Sequence, residues 1–201
     1  MYEYRKLTLQ QRRKLVKERL DRGYPPHSPP HPVRDQQLYL LTAACYEHAQ
    51  HMYLPERRRQ VLDALFETFT LHGIEMRAWV ILPNHYHILA YVPDFNLLGG
   101  FFRYIHGSIA RQWNIEDATP RRKVWYRFSD RAIRSERHYY TTLNYIHYNP
   151  VKHRWVISPY EWSESSVRWY IEHYGREWLQ DLWVTYPIRD YGRGWDEFPI
   201  L

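Results

Sequence analysis

The stretch Trp79-Val-Ile-Leu-Pro-Asn-His-Tyr-His-Ile-Leu-Ala-Tyr-Val92 constrains this chain more than any other. One apolar run enters a Pro83-Asn84 turn and a second leaves it carrying two histidines. Alternate side chains of a strand share a face, so His85 and His87 stand side by side. The opposite face, Tyr86, Ile88, Ala90 and Val92, suits a core. Two neutral imidazoles so placed can share one metal ion. The spacing alone is weak: with 12 His in 201 residues, composition yields roughly 0.7 such pairs by chance. Context strengthens it, because a strand buried behind a tight turn penalises polar groups without partners.

The flanking segments organise around that strand. Gln37 to Tyr46 reads as a buried strand, and Pro55 opens a helix whose apolar positions Val61, Leu62, Leu65, Phe66 and Phe69 run until Gly73. Ile74 to Leu82 alternates, with Ile74, Met76, Ala78, Val80 and Leu82 on one side. The two-residue turn joins it to the histidine strand as a hairpin. A second helix carries Leu98, Phe101, Phe102, Ile105, Ile109 and Trp113 on one face. Lys123 to Ile133 reads as a fourth, less regular strand. Ser135 caps a final helix that runs to about Asn149 and is ended by Pro150. The order β-α-β-β-α-β predicts an α+β fold of ferredoxin-like, split β-α-β type.

Both ends lie outside this pattern. Thr8 and Gln11 form a capping box that opens a helix to about Arg22, stopped by Gly23. Its face carries Arg12, Arg13, Lys14, Lys17, Arg19 and Arg22, which reads equally as a solvated surface or as a phosphate-contacting arm. Five prolines in residues 24–32 predict an extended linker. The chain thus divides into a basic helical arm with linker (1–32), a central domain (33–155) and a Trp-rich C-terminal segment (156–201). In the last, one weak helix is expected from Ser165 to about Leu182, with its tryptophans in the core.

A formal charge of +6 and a pI near 9.3 favour a polyanionic partner. The single Cys45 fits a reducing compartment. No apolar run reaches the ~20 residues a membrane span needs, and Met1 to Leu7 lacks the apolar core of a signal peptide. The expectation is a soluble cytoplasmic protein with no membrane partner.

Leu82-Pro83-Asn84-His85-Tyr86-His87-Ile88-Leu89 resembles the PNHxHxL segment of the REP-associated tyrosine transposases, members of the HUH superfamily of single-strand DNA endonucleases. Tyr145-Ile-His-Tyr-Asn-Pro-Val-Lys152 resembles the same family's YIHxNPVxA helix, and the likeness spans approximately residues 35–166. It implies an antiparallel sheet with helices on one side, followed by a nucleophile-bearing helix. Tyr145 is then the nucleophile, and His85, His87 and the Asn149 amide oxygen hold Mg²⁺ or Mn²⁺. Asn149, four residues after Tyr145, shares its helix face; a helix C-cap before Pro150 is its plainer role. The implied product is a 5′-phosphotyrosine with a free 3′-hydroxyl. The implied partner is single-stranded or hairpin DNA. No nucleotide cofactor is implied, in keeping with the lack of a Walker-type or dinucleotide glycine fingerprint. Oligomeric state stays open, with a monomer favoured over a dimer.

Arg121, Arg122, Lys123, Arg127, Arg131, Arg134 and Arg137, interleaved with Trp125 and Tyr126, form the densest cationic tract after the arm; with Lys152 they are the candidate DNA contacts. A charged sheet edge is the competing reading. His138 is a surface residue or a DNA contact, and His147 and His153 are surface or phosphate-contacting. Two rivals stand beside the transposase. A cupin-type metalloenzyme also carries His-x-His on a strand, but needs a glycine-rich double-stranded barrel. A DNA- or RNA-binding protein on the same fold would no longer cut.

Overall fold

The structure is a computed structural model that describes residues 7–21 and 37–195. The expected helix stop at Gly23, the proline-rich linker and the tail 196–201 lie outside the described residues. Among the described residues ten regular elements run in the order α1 (Leu9–Asp21), β1 (Leu38–Ala44), α2 (Pro55–Leu71), β2 (Glu75–Ile81), β3 (His85–Tyr91), α3 (Leu98–Glu116), β4 (Ser129–Ala132), α4 (Glu136–Lys152), α5 (Val167–Tyr174) and α6 (Arg176–Thr185). The four strands form one antiparallel sheet in the order β2-β3-β1-β4. This is the split β-α-β arrangement, and it leaves no place for the double-stranded barrel of the cupin reading. Among the described residues no helix is long and apolar enough to cross a membrane.

β3 is central and buried on both faces. On one face Tyr86, Ile88 and Ala90 join Val61, Leu65 and Phe69 of α2 and Phe102, Ile105, Ile109 and Trp113 of α3. The helical spacing of those residues places them in a single layer. The other face carries the histidines. It is covered by α4 and by residues 156–195 through Leu143, Ile146, Trp162, Val167, Tyr170 and Leu179. Of the C-terminal tryptophans expected in the core, Trp162 is buried, Trp178, Trp183 and Trp195 are partly buried, and Trp169 is exposed; Trp79 and Trp155 are partly buried too.

The capping box is present: Gln11 N donates to Thr8 Oγ1 at 3.3 Å and Thr8 N to Gln11 Oε1 at 2.8 Å. The hairpin closes with Leu82 N donating to His85 O at 2.8 Å. Four expectations are corrected. β2 does not keep one apolar side: a bulge between Met76 and Ala78 inserts Arg77 as an extra residue. Ile74 and Met76 therefore face the α2/α3 layer, as do Trp79 and Ile81, whereas Ala78, Val80 and Leu82 face the histidine layer. β4 spans four residues rather than eleven, because only Cys45↔Trp125 pairs before it. Pro150 does not end α4: a proline removes just its own N–H bond, and the turn closes through His153 N to Asn149 O at 3.1 Å. The single C-terminal helix is two, broken at Gly175 with φ 86°, a conformation glycine adopts without strain.

Candidate active site

α4 crosses the histidine face of β2 and β3. Ser135 starts it, accepting from His138 N at 3.1 Å. Tyr145 and Asn149, one turn apart, both face β3. The Tyr145 hydroxyl lies 3.4 Å from His87 Nε2, and Asn149 Oδ1 lies 3.2 Å from His85 Nε2. The two imidazole centroids are 5.1 Å apart. All four residues are buried, with none more than 1% exposed.

Each histidine is held by its other nitrogen. His87 Nδ1 is 2.7 Å from Thr42 Oγ1, on the β1 residue paired with His87. His85 Nδ1 is 2.7 Å from Asn84 Oδ1, which can only accept. With the His85 proton on Nδ1, the Nε2 lone pair faces the Asn149 amide, which can turn either end toward it. The amide nitrogen would donate to the ring, whereas the amide oxygen and the ring nitrogen together can hold a cation. The Asn149 amide nitrogen, meanwhile, is buried without a hydrogen-bond partner. The donor set of two neutral imidazoles and one amide oxygen therefore fits a divalent cation. Among the described residues no three His, Cys, Asp or Glu side chains converge for a metal, so any remaining positions would fall to water or a phosphate oxygen.

Tyr145 is roofed by the end of the described chain. Tyr191 and Trp195 lie 5.5 and 5.7 Å from its ring centroid. Gly192 (φ +76) is so close that an added Cβ would stand 2.2 Å from Tyr145 Cε2. Lys152 Nζ, 5.0 Å from the Tyr145 ring centroid, donates to Gly192 O at 3.1 Å. Arg131 stacks its guanidinium 3.7 Å over the Trp195 ring. Arg131 and Lys152 thus reach the Tyr145 neighbourhood. Arg122 instead bonds Asn114 and, with Arg57, Asp117; these two guanidiniums hold the Asp117 carboxyl at about 2. Lys123 lies over Tyr46, while Arg121, Arg127, Arg134 and Arg137 are exposed, the last with its guanidinium 5.9 Å from the Tyr186 ring centroid.

Of the three histidines read as surface or phosphate-contacting, one is buried and two are half-buried. His147 is fully buried and bonds Ser166 Oγ at 2.9 Å, and burial pushes its pKa down to about 3. It lies half a turn from Tyr145, so it enters the seam against Ser166 and Tyr170. His153, half-buried, sets its ring 5.0 Å from His85. His138 Nε2 is 3.1 Å from the Tyr191 hydroxyl. Thr42, Tyr191 and Gly192 carry no motif and are found only through strand register and the packing of the chain end; Asn84 lies within the Pro-Asn-His segment, but its contact with His85 is seen only in the structure.

No protein-family model matches the chain. It is 30% identical over 135 residues to the REP-associated tyrosine transposase of Escherichia coli (strain K12), covering 67% of this chain and 71% of that protein. A Haemophilus influenzae (strain ATCC 51907 / DSM 11121 / KW20 / Rd) relative is 29% identical over 140 residues, covering 64% and 78%. Among solved structures, a REP-associated tyrosine transposase bound to a REP hairpin has a similar fold. Its TM-score is 0.54 at 23% identity, covering 70% of this chain and 84% of that one.

Proposed function

The chain belongs to the family of REP-associated tyrosine transposases, and from that premise we propose that it nicks and rejoins single-stranded DNA beside a hairpin, through a covalent bond to Tyr145. The observation that carries the reading is the 3.4 Å approach of the Tyr145 hydroxyl to His87 Nε2, beside the 3.2 Å pair of His85 Nε2 and Asn149 Oδ1. The Tyr145 oxygen forms a bond to the scissile phosphorus as the bond from phosphorus to the 3′-oxygen breaks. The phenolic proton is given up, and the 3′-oxygen departs as a hydroxyl. Attack by a 3′-hydroxyl on the phosphotyrosine reverses the exchange, restores a phosphodiester and frees Tyr145, so no nucleotide cofactor is consumed.

His85, His87 and Asn149 would hold Mg²⁺ or Mn²⁺. When bound, the ion polarises a non-bridging phosphate oxygen and offsets the charge that develops in displacement. Thr42 and Asn84 fix the orientation of the two imidazoles. α4 holds Tyr145 rigidly, which limits the rotamer freedom lost on reaction. Lys152 and Arg131, beside the Tyr145 ring and its roof, supply positive charge for the DNA backbone.

A hairpin with an unpaired flank, incubated with Mg²⁺ or Mn²⁺, should leave DNA attached to the protein, with the nucleotide mapping to Tyr145. Tyr145→Phe should bind the DNA without forming the adduct. Tyr148→Phe, at an exposed position, should still form it. Binding without any adduct would make the protein a silent binder, and an adduct on another tyrosine would reassign the nucleophile. Undiminished cleavage by metal-stripped protein would remove His85, His87 and Asn149 from the reaction.

A further inference from the structure

A second cluster of rings lies beside the site. β1 continues past Ala44, with Tyr126 N donating to Ala44 O at 2.9 Å and Tyr46 N to Val124 O at 2.6 Å. The Tyr46 and Tyr126 centroids are 5.0 Å apart, and His48 lies 5.9 Å from Tyr126. Lys123 Nζ sits 4.3 Å over the Tyr46 ring and 5.6 Å from that of Tyr126. Both tyrosines are half-buried and Lys123 is exposed.

Register fixes the distance to the metal ligands. Ala44 pairs with His85 on one side and faces Tyr126 on the other. Strands are about 4.8 Å apart, so Tyr126 is roughly 10 Å from His85 across the sheet. The backbone beneath is rigid, because Cys45 and Trp125 pair there and bury their side chains in the core. Glu47 and His48 hold left-handed φ of 54° and 55°. Two successive non-glycine residues in that region are strained, and such strain persists only where the surroundings enforce it.

We infer that Tyr46, Tyr126 and Lys123 form a platform for unpaired bases, which seats the single-stranded DNA next to the scissile phosphate. Rings accept any base by stacking, and a cation at their rim pairs with the phosphates between. Such a surface binds strands by lack of pairing rather than by sequence. A purely defensive edge needs no more than a charge in solvent, whereas the exposed Lys123 also sets its Nζ over two rings. This inference rests on the DNA-cutting reading for its substrate.

The test uses the full chain with Tyr145→Phe, so that DNA stays intact. Its three probes are a hairpin with a short unpaired flank carrying 2-aminopurine, the same hairpin blunt, and an unstructured single strand. Tyr46→Leu with Tyr126→Leu should weaken the flanked hairpin and the single strand about 5- to 100-fold, remove the change in 2-aminopurine emission, and spare the blunt hairpin. Tyr46→Phe with Tyr126→Phe should keep both the affinity and the emission change. Equal losses on blunt and flanked hairpins, or no loss with the leucines, would overturn the platform. Ring-dependent binding of the single strand without hairpin binding would keep the platform and sink the hairpin reading.

Discussion

Thr42 Oγ1 lies 2.7 Å from His87 Nδ1, on the residue that β1 pairs directly with His87. The hydroxyl therefore fixes the ring whose other nitrogen faces Tyr145. Partners of this kind typically change metal affinity or activity 10- to 100-fold when removed. Thr42→Val keeps the β-branched shape and should lower adduct formation by about that factor, with thermal stability changed little. Thr42→Ser should restore most of it. A valine variant with wild-type cleavage and metal dependence would show that the ring needs no such anchor.

Arg58 and Glu164 make a buried ion pair between α2 and the C-terminal segment, 2.8 Å long. Arg58 also donates to the carbonyls of Met52 and Tyr53. Removing one partner strands the other charge away from water, at a cost of about 3–5 kcal/mol. Glu164→Gln should lower the unfolding free energy by an amount of that order in denaturant titration. Arg58→Met with Glu164→Leu should recover much of it, since no charge is then left buried. A double variant as unstable as the sum of the singles would contradict this account.

Burial pushes both His106 and His147 down to about 3. The folded protein holds these rings neutral, bonded to Tyr86 and Ser166, while the unfolded chain protonates them near ~6.5. Their contribution is complete above that value and falls as pH drops from about 6.5 toward about 3. Each costs roughly 1.4 kcal/mol per pH unit across that window. Denaturation at pH 7.5 and 5.0 should show a clear loss for the wild type, and His147→Gln should reduce the loss by about 1–2 kcal/mol. An equal loss in both proteins would show that His147 takes up its proton while folded.

Gly192 has φ +76 and no room for a Cβ against the Tyr145 ring. Gly192→Ala must lift the turn 190–195 away. Nitration of Tyr145, read by mass spectrometry, should rise several-fold over the wild type. A left-handed alanine adds about 1–2 kcal/mol of strain, so a small drop in stability should accompany it. Unchanged nitration would place the chain end elsewhere in solution.

What could be read from the sequence was local. The capping box, the Pro83-Asn84 hairpin and the apolar stripes of α2 and α3 each depend on residues within a turn or two. The proximity of Tyr145, Asn149 and the two histidines followed from two motifs. What escaped depends on partners far along the chain. Thr42 is an ordinary strand threonine until register sets it beside His87. His147 looks like surface until α5 brings Ser166 against it. The chain end around Gly192 carries no periodicity, so nothing announced that it would cover Tyr145. Pro150 misled because a proline in the last turn of a helix removes a single bond.

The bulge at Arg77 gives β2 one place where its length is free to change. Met76 pairs with Ala90 and Ala78 with the next residue of β3, Leu89, so Arg77 is outside the count of paired positions. Loss of Arg77 would leave every pair and every face as it is and only straighten the strand. Loss of a residue beyond the bulge, with the N-terminal half held in register, would move each later side chain to the other face and take Val80 from its place opposite His87. Across descendants of this chain, alignments through β2 should show gaps at Arg77 and substitutions alone from Ala78 to Ile81.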